Sequence, residues 1–235
     1  MDYHVFKAML NRYYARYAGG DQRPVFFDIN ATYPSLADVT RGFPVIRQEF
    51  DQLIERGAYL PAYHEVDAGE RAISAATAKN WGVFMLDILG HKLMANRALC
   101  PRTCAILDQI PNMLQAFFSV LDPGKSIPEH EGPYLGYLRY HLALRVPAER
   151  PPTLWLSGRP YVWKTGEAVL FDDSWPHSVE NHSHEMRAVL IVDVLRPMPF
   201  LPSLVNSATT KLLARHTYGR KVADRARQFT PLKAA

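Results

Sequence analysis

Two similarly spaced pairs of side chains carry the chemistry this sequence could do. His130 is followed nine residues later by Arg139, and His177 ten residues later by Arg187; the two histidines are 47 residues apart. Imidazoles that converge at strand ends suit a transition metal, and arginines on the strands that follow suit the carboxylate of an anion. His141 lies two residues beyond Arg139 in the strand-like run 136–146, GYLRYHLALRV. Alternation puts Leu138, Tyr140, Leu142 and Leu144 on one face, and Tyr137, Arg139, His141 and Ala143 on the other. The first face is apolar. The second fits either a half-solvated strand or the lining of a ligand cavity. In 186–195, Arg187 shares a face with Val189, Ile191 and Asp193, so its guanidinium must snorkel to solvent or meet an anion.

These residues need a scaffold of strands. From residue 113 onward short strand-like runs follow one another: 113–121, 136–146, 153–157, 160–164, 167–172 and 186–195. Turn signals separate them, among them Asp122-Pro123-Gly124, Pro151-Pro152 and Ser157-Gly158. None is followed by a crossover helix, which predicts an antiparallel jelly roll rather than a doubly wound sheet. Upstream, helices are expected over 3–17, over 45–56 (closed by Gly57), and from Pro101 through Ile110. A strand is expected at 81–88. Residues 18–45 read as mostly loop with a short strand at 25–27, and 203–228 as helical.

Composition sets the bounds. A chain of 235 residues with 48% hydrophobic and 21% charged residues has room for one large, self-sufficient core, which excludes a disordered, coiled-coil or collagen-like protein. Residues 211–235 hold seven Lys/Arg and one acid, whereas the rest carries a formal −2. The basic excess is therefore a property of the tail, and the body is not expected to bind nucleic acid. The tail could make weak contact with a membrane surface. Cys100 and Cys104 are too few for a disulfide framework and read as buried thiols. No apolar run is long enough to span a bilayer or resembles a signal peptide, so a cytoplasmic location is expected.

The segments IPEHEGPYLGYLRYHLAL (127–144), GEAVLFDDSWPHSVEN (166–181) and RAVLIVDVLRP (187–197) resemble the aspartyl/asparaginyl β-hydroxylase family of Fe(II)/2-oxoglutarate dioxygenases. YPSLADVTRGFPVIRQEF (33–50) and ANRALCPRTCAILDQIP (95–111) extend the likeness upstream, so that it covers roughly 25–197. The resemblance implies a mainly β fold with flanking helices, a double-stranded β-helix of cupin-like, jelly-roll type. It divides the chain into an N-terminal helical segment (1–24), the dioxygenase domain (25–202) and a basic helical extension (203–235). It makes His130 and His177 the metal ligands. Arg187, His141 and Ser119 become contacts of 2-oxoglutarate, and Arg139 a contact of the substrate carboxylate. The implied cofactors are Fe(II), 2-oxoglutarate and O2.

The third-ligand position of the usual His-x-Asp/Glu…His triad holds Gly132, which implies water in its place. Glu129 and Glu131 flank His130 and are expected to point away from the metal. His182 and His184 read as solvated turn residues. Asp172 and Asp173 are expected to hold their turn or to hydrogen-bond an imidazole. The expected reaction is hydroxylation of an unactivated C–H bond in a small-molecule, peptide or carrier-bound substrate. The pairing of Gly132 with Arg139 favours the β-carbon of an aspartyl/asparaginyl or related amino-acid-like substrate. The alternatives are a lipid A-type acyl chain and a non-catalytic cupin-like binding module. A basic scaffold acting through its tail is a third class.

Overall fold

The computed structural model describes residues 3–229, without the side chains of residues 3–7. Residues 230–235, with Lys233 of the basic tail, lie outside the described residues. Among the described residues eleven strands form two antiparallel sheets. They are β1 (Phe26–Phe27), β2 (Trp81–Ile88), β3 (His91–Lys92), β4 (Met113–Leu121), β5 (Ile127–His130), β6 (Tyr137–Arg145), β7 (Thr153–Leu156), β8 (Arg159–Val162), β9 (Ala168–Phe171), β10 (His177–Glu180) and β11 (Arg187–Leu195). The large sheet has the order β1-β9-β6-β11-β4-β2-β3, and the small one β5-β10-β7-β8. The inner face of the large sheet (Phe117, Ala143, Val189, Ile191) packs on Ile127, Leu154, Leu156 and Val179 of the small sheet. This is the expected double-stranded β-helix with flanking helices.

The alternation of β6 is realised in full. Leu138, Tyr140, Leu142 and Leu144 join one core with Leu190 and Val192, roofed by the helices Leu36–Arg41, Phe43–Glu55 and Pro101–Leu107. Buried Glu49 ties two of these helices together. Its carboxylate accepts from the N–H groups of Arg102 (2.9 Å) and Thr103 (2.7 Å), capping the first turn of the Pro101 helix. On the opposite face Tyr137, His141 and Ala143 are buried and Arg139 largely so, and the half-solvated reading of that face does not hold.

The loop expected over 18–45 is a correction. Beyond β1 the chain forms the short helices Ile29–Thr32 and Leu36–Arg41. Asp28 Oδ1 caps the first by accepting from Ala31 N at 2.7 Å. Proline misled the reading: Pro34 separates the two helices, and Pro44 sits in the first turn of the next, where its missing N–H costs nothing. Cys100 and Cys104 are free and buried, and desolvation pushes their thiols up to about 12 and about 11.

Candidate active site

His130 and His177 end up directly opposite each other. His130 ends β5 and His177 begins β10, and the register pairs the two residues across the small sheet. Their ring centroids lie 4.1 Å apart. Each ring is oriented by its own chain: His130 Nδ1 bonds Pro128 O at 2.9 Å, and His177 Nδ1 bonds Trp175 O at 2.8 Å. A carbonyl can only accept, so Nδ1 carries the proton and each Nε2 keeps its lone pair. Burial, with mutual repulsion for His130, holds both imidazoles down to about 4, so both are neutral near pH 7. Two neutral, carbonyl-anchored imidazoles side by side are a donor set that fits Fe(II).

The carboxylate of a conventional triad has no room here. A Cβ at Gly132 would stand 2.5 Å from Asp173 Oδ1, 2.7 Å from its Cγ and 2.9 Å from its carbonyl oxygen. Gly132 N donates to that carbonyl at 2.7 Å, so the backbones are locked in this approach. Asp173 thus occupies the space that a residue-132 side chain would need. Its Oδ2 accepts from Tyr137 OH at 2.8 Å and pairs with Arg139 at 2.9 Å, while its buried Oδ1 has no partner among the described residues. Burial raises this carboxyl to about 6 despite the neighbouring Arg139 charge. Gly132→Asp is therefore expected to lower stability by about 1–3 kcal/mol through overpacking, without tightening metal binding. Thermal melts and a metal titration check this; a stable variant with tighter metal binding would overturn it.

Further along the barrel lies a buried cluster around one cation. Arg187 is 2% exposed, yet among the described residues its Nε and NH1 have no partner, and its guanidinium lies 4.5 Å over the Trp163 ring. Desolvation pulls Arg187 down to about 9. His141 stacks on the same Trp163 (centroids 6.0 Å, planes 17° apart) and leaves both ring nitrogens unpartnered. Burial, then the charge of Arg187, holds His141 well below the usual imidazole range. Trp163 Nε1 is unpartnered as well. The hydroxyl of buried Ser119 accepts from Trp81 Nε1 at 2.9 Å, which leaves its own proton to give. Val189 of β11 is opposite Ser119 on β4, and Ile191 is opposite His141 on β6, so these groups share one face. Buried donors without acceptors are costly in a folded protein, and they mark a place shaped for an anion.

Arg139 faces the same interior but is not a free cation. Its Nε and NH2 bond both oxygens of Asp193 at 2.8 Å, and NH1 meets Asp173 at 2.9 Å. Asp172 holds the loop that carries His177: Arg23 (3.0 Å) and Arg196 (2.6 Å) pair with its Oδ2, and Oδ1 accepts from Ser174 N at 3.1 Å. Arg23 also lies 3.6 Å over the Trp175 ring. Glu129, Glu131, His182 and His184 are exposed. His184 lines a surface cavity of about 450 Å³ with Arg47 and Arg145, at the end of β6 remote from Tyr137.

The sequence reading did not single out Trp163, Trp81, Tyr137 or the Asp193 clamp. Asp193 was visible on the face of Arg187, and alternation alone could have flagged it as a buried acid needing a partner. Trp163 falls in the expected run 160–164, but nothing in that run marks it as facing Arg187 and His141.

Fold and site together define a double-stranded β-helix with a two-histidine pair near a buried, unpartnered guanidinium. The model of the Aspartyl/Asparaginyl beta-hydroxylase family matches residues 40–197, and the chain belongs to that family. It is 35% identical over 190 residues to the Ornithine lipid ester-linked acyl 2-hydroxylase of Rhizobium tropici, covering 80% of this chain and 66% of that protein. It is 31% identical over 126 residues to the Aspartyl/asparaginyl beta-hydroxylase of Homo sapiens, covering 50% of this chain and 16% of that one. The chain thus spans less than two thirds of these relatives. A solved Pseudomonas putida prolyl-4-hydroxylase aligns with a TM-score of 0.42 and 16% identity, over 66% of this chain and 87% of that one.

Proposed function

We propose that the chain is an Fe(II)/2-oxoglutarate-dependent hydroxylase whose substrate is an acyl lipid with an amino-acid head group. The observation that carries the cosubstrate is the unpartnered, buried guanidinium of Arg187 beside the equally unpartnered His141. A five-carbon dicarboxylate fits that donor set: its distal carboxylate takes Arg187, with His141, Trp163 Nε1 and the Ser119 hydroxyl as further donors. His130 and His177 would hold the iron through Nε2. Bound iron supplies dioxygen activation, in which 2-oxoglutarate is oxidised to succinate and CO2 and one oxygen atom enters a substrate C–H bond. The unpartnered Oδ1 of Asp173 offers an acceptor beside the third-ligand position, suited to a water there.

Two observations favour the acyl lipid over the aspartyl/asparaginyl side chain expected from the sequence. Similarity to the Rhizobium lipid hydroxylase runs through 80% of the chain, against 50% for the human protein. Arg139 is also already engaged by two carboxylates, which weakens it as the anchor of a lone acidic side chain. Three of its five N–H groups are in use, so it retains donors for a head-group carbonyl or carboxylate in a setting of net negative charge.

The test is succinate release with Fe(II) and 2-oxoglutarate, in the presence of either an ornithine-headed acyl lipid in mixed micelles or an Asp/Asn peptide. The lipid is expected to stimulate release several-fold. Stimulation by the peptide alone would overturn the substrate, and no stimulated release with any acceptor would overturn the reaction. Arg139→Lys sharpens the reading. It keeps a cation for Asp173 and Asp193 but loses the two-pronged contact, so 2-oxoglutarate affinity should stay near wild type while lipid-stimulated turnover falls. Arg139→Ala should instead destabilise the fold by about 3–5 kcal/mol, because it strands two buried carboxylates.

A further inference from the structure

We propose that the helical run from Phe200 to Gly219 seats the protein on an anionic lipid surface, deepening the acyl-lipid reading on which its purpose rests. The run continues from the helix Phe200–Ala208 into a wide, π-helical stretch, Thr209–Gly219. Pro202, Asn206, Thr210 and Gly219 are buried and define its inner face. The remaining apolar side chains face out. Phe200 is 78% exposed, Leu201 66%, Leu204 55%, Val205 39%, Leu212 68% and Leu213 52%. Scattered exposed apolar residues are ordinary; six along one run are a contiguous face that water does not favour.

Charge selects the occupant. No acidic residue occurs between Asp193 and Asp224, whereas Lys211, Arg215, Arg220 and Lys221 all fall there and all are exposed. Among the described residues, only Arg220 of these four meets a carboxylate, that of Asp224 at 3.8 Å. An apolar face with basic residues along the same run and no acids fits an anionic head-group layer over an acyl interior. No helix of the described residues is long and apolar enough to cross a membrane, so the contact would be at the surface.

The run also lies beside the site. Asn206 Nδ2 donates to Gly136 O at 2.6 Å, and Tyr134 OH bonds the Asn206 side chain. Gly136 and Tyr134 belong to the segment that leads from His130 to Arg139. The approach is close enough that a Cβ at Gly136 would stand 2.6 Å from Asn206 Oδ1. A lipid surface held on the outer face of this run would present its lipids next to the segment that frames the metal histidines.

The experiment is sedimentation of the full chain with vesicles of phosphatidylcholine alone or with about one third phosphatidylglycerol, without iron or cosubstrate. The protein should pellet with the anionic vesicles, and at least tenfold less with the neutral ones or in high salt. Leu204→Glu/Leu212→Glu and Lys211→Glu/Lys221→Glu should each weaken binding tenfold or more while melting as the wild type does. Failure to bind anionic vesicles, or unchanged binding by both folded variants, would overturn the proposal. So would a wild-type dimer that Leu204→Glu/Leu212→Glu converts to monomer, which would make a second copy the occupant. Because no turnover is measured, these outcomes are distinct from failure of the lipid as substrate.

Discussion

Arg187→Ala should weaken 2-oxoglutarate binding by about 30-fold or more, because truncating one partner of a buried charge-assisted contact costs roughly 2–5 kcal/mol. Among the described residues Arg187 has no carboxylate partner, and it sits in a dry wall formed with Trp163 and His141. A charge held this way is a stability cost until an anion arrives. Arg187→Met should therefore move the two quantities in opposite directions. It should raise the stability of the ligand-free protein by on the order of 1–3 kcal/mol, since an apolar side chain of similar length replaces an unpaired buried charge. It should also abolish the stabilisation, growing with ligand concentration, that 2-oxoglutarate is expected to give the wild type. Denaturant titrations with and without 2-oxoglutarate read both effects. A variant that loses stability without ligand and still binds the dicarboxylate would show Arg187 to be structural.

The long strands were legible because each buries both faces or alternates cleanly: β2 and β4 span the residues expected from the sequence, and β6 and β11 differ by a residue or so. The short strands β5 and β10 were not. Ile127–His130 contains Pro128, and His177–Glu180 follows Pro176, so neither shows a run of β-branched or aromatic residues. Yet these are the strands that bring the two histidines together across the small sheet. Sequence could nominate the pair by type and spacing, while their face-to-face register depends on how β10 pairs with both β5 and β7.

The same limit applies to charge. Arg139 and Asp193 were visible on strand faces that point inward. That they neutralise each other follows from the register of β6 against β11, which sets Asp193 opposite Arg139. Asp173 completes the clamp from a turn, where no periodicity operates. The exposed apolar face of the C-terminal helix was hidden for another reason. Composition showed its basic residues, but only packing shows which of its leucines stay outside.

His130→Ala and His177→Ala should each lower Fe(II) or Mn(II) affinity by about 100-fold or more, beyond the 10–100-fold that loss of an outer-shell partner typically costs. The reason is arithmetic of ligands. Among the described residues no cluster of three His, Cys, Asp or Glu could hold a metal, so on the proposed reading the protein offers two imidazoles and each substitution removes half of them. Gly132 cannot compensate, since Asp173 fills the space beside it. Glu129 and Glu131 are exposed. His182→Ala and His184→Ala should leave affinity within about twofold, because an exposed imidazole remote from the pair contributes only a screened charge. Anaerobic titration of the four variants separates the cases. Loss of binding on His182→Ala with retention on His177→Ala would place the metal elsewhere. The carbonyl contacts predict one refinement: His177→Asn places its amide nitrogen where Nδ1 donates to Trp175 O but offers no ligand at the Nε2 position, so the fold should survive while the metal is lost.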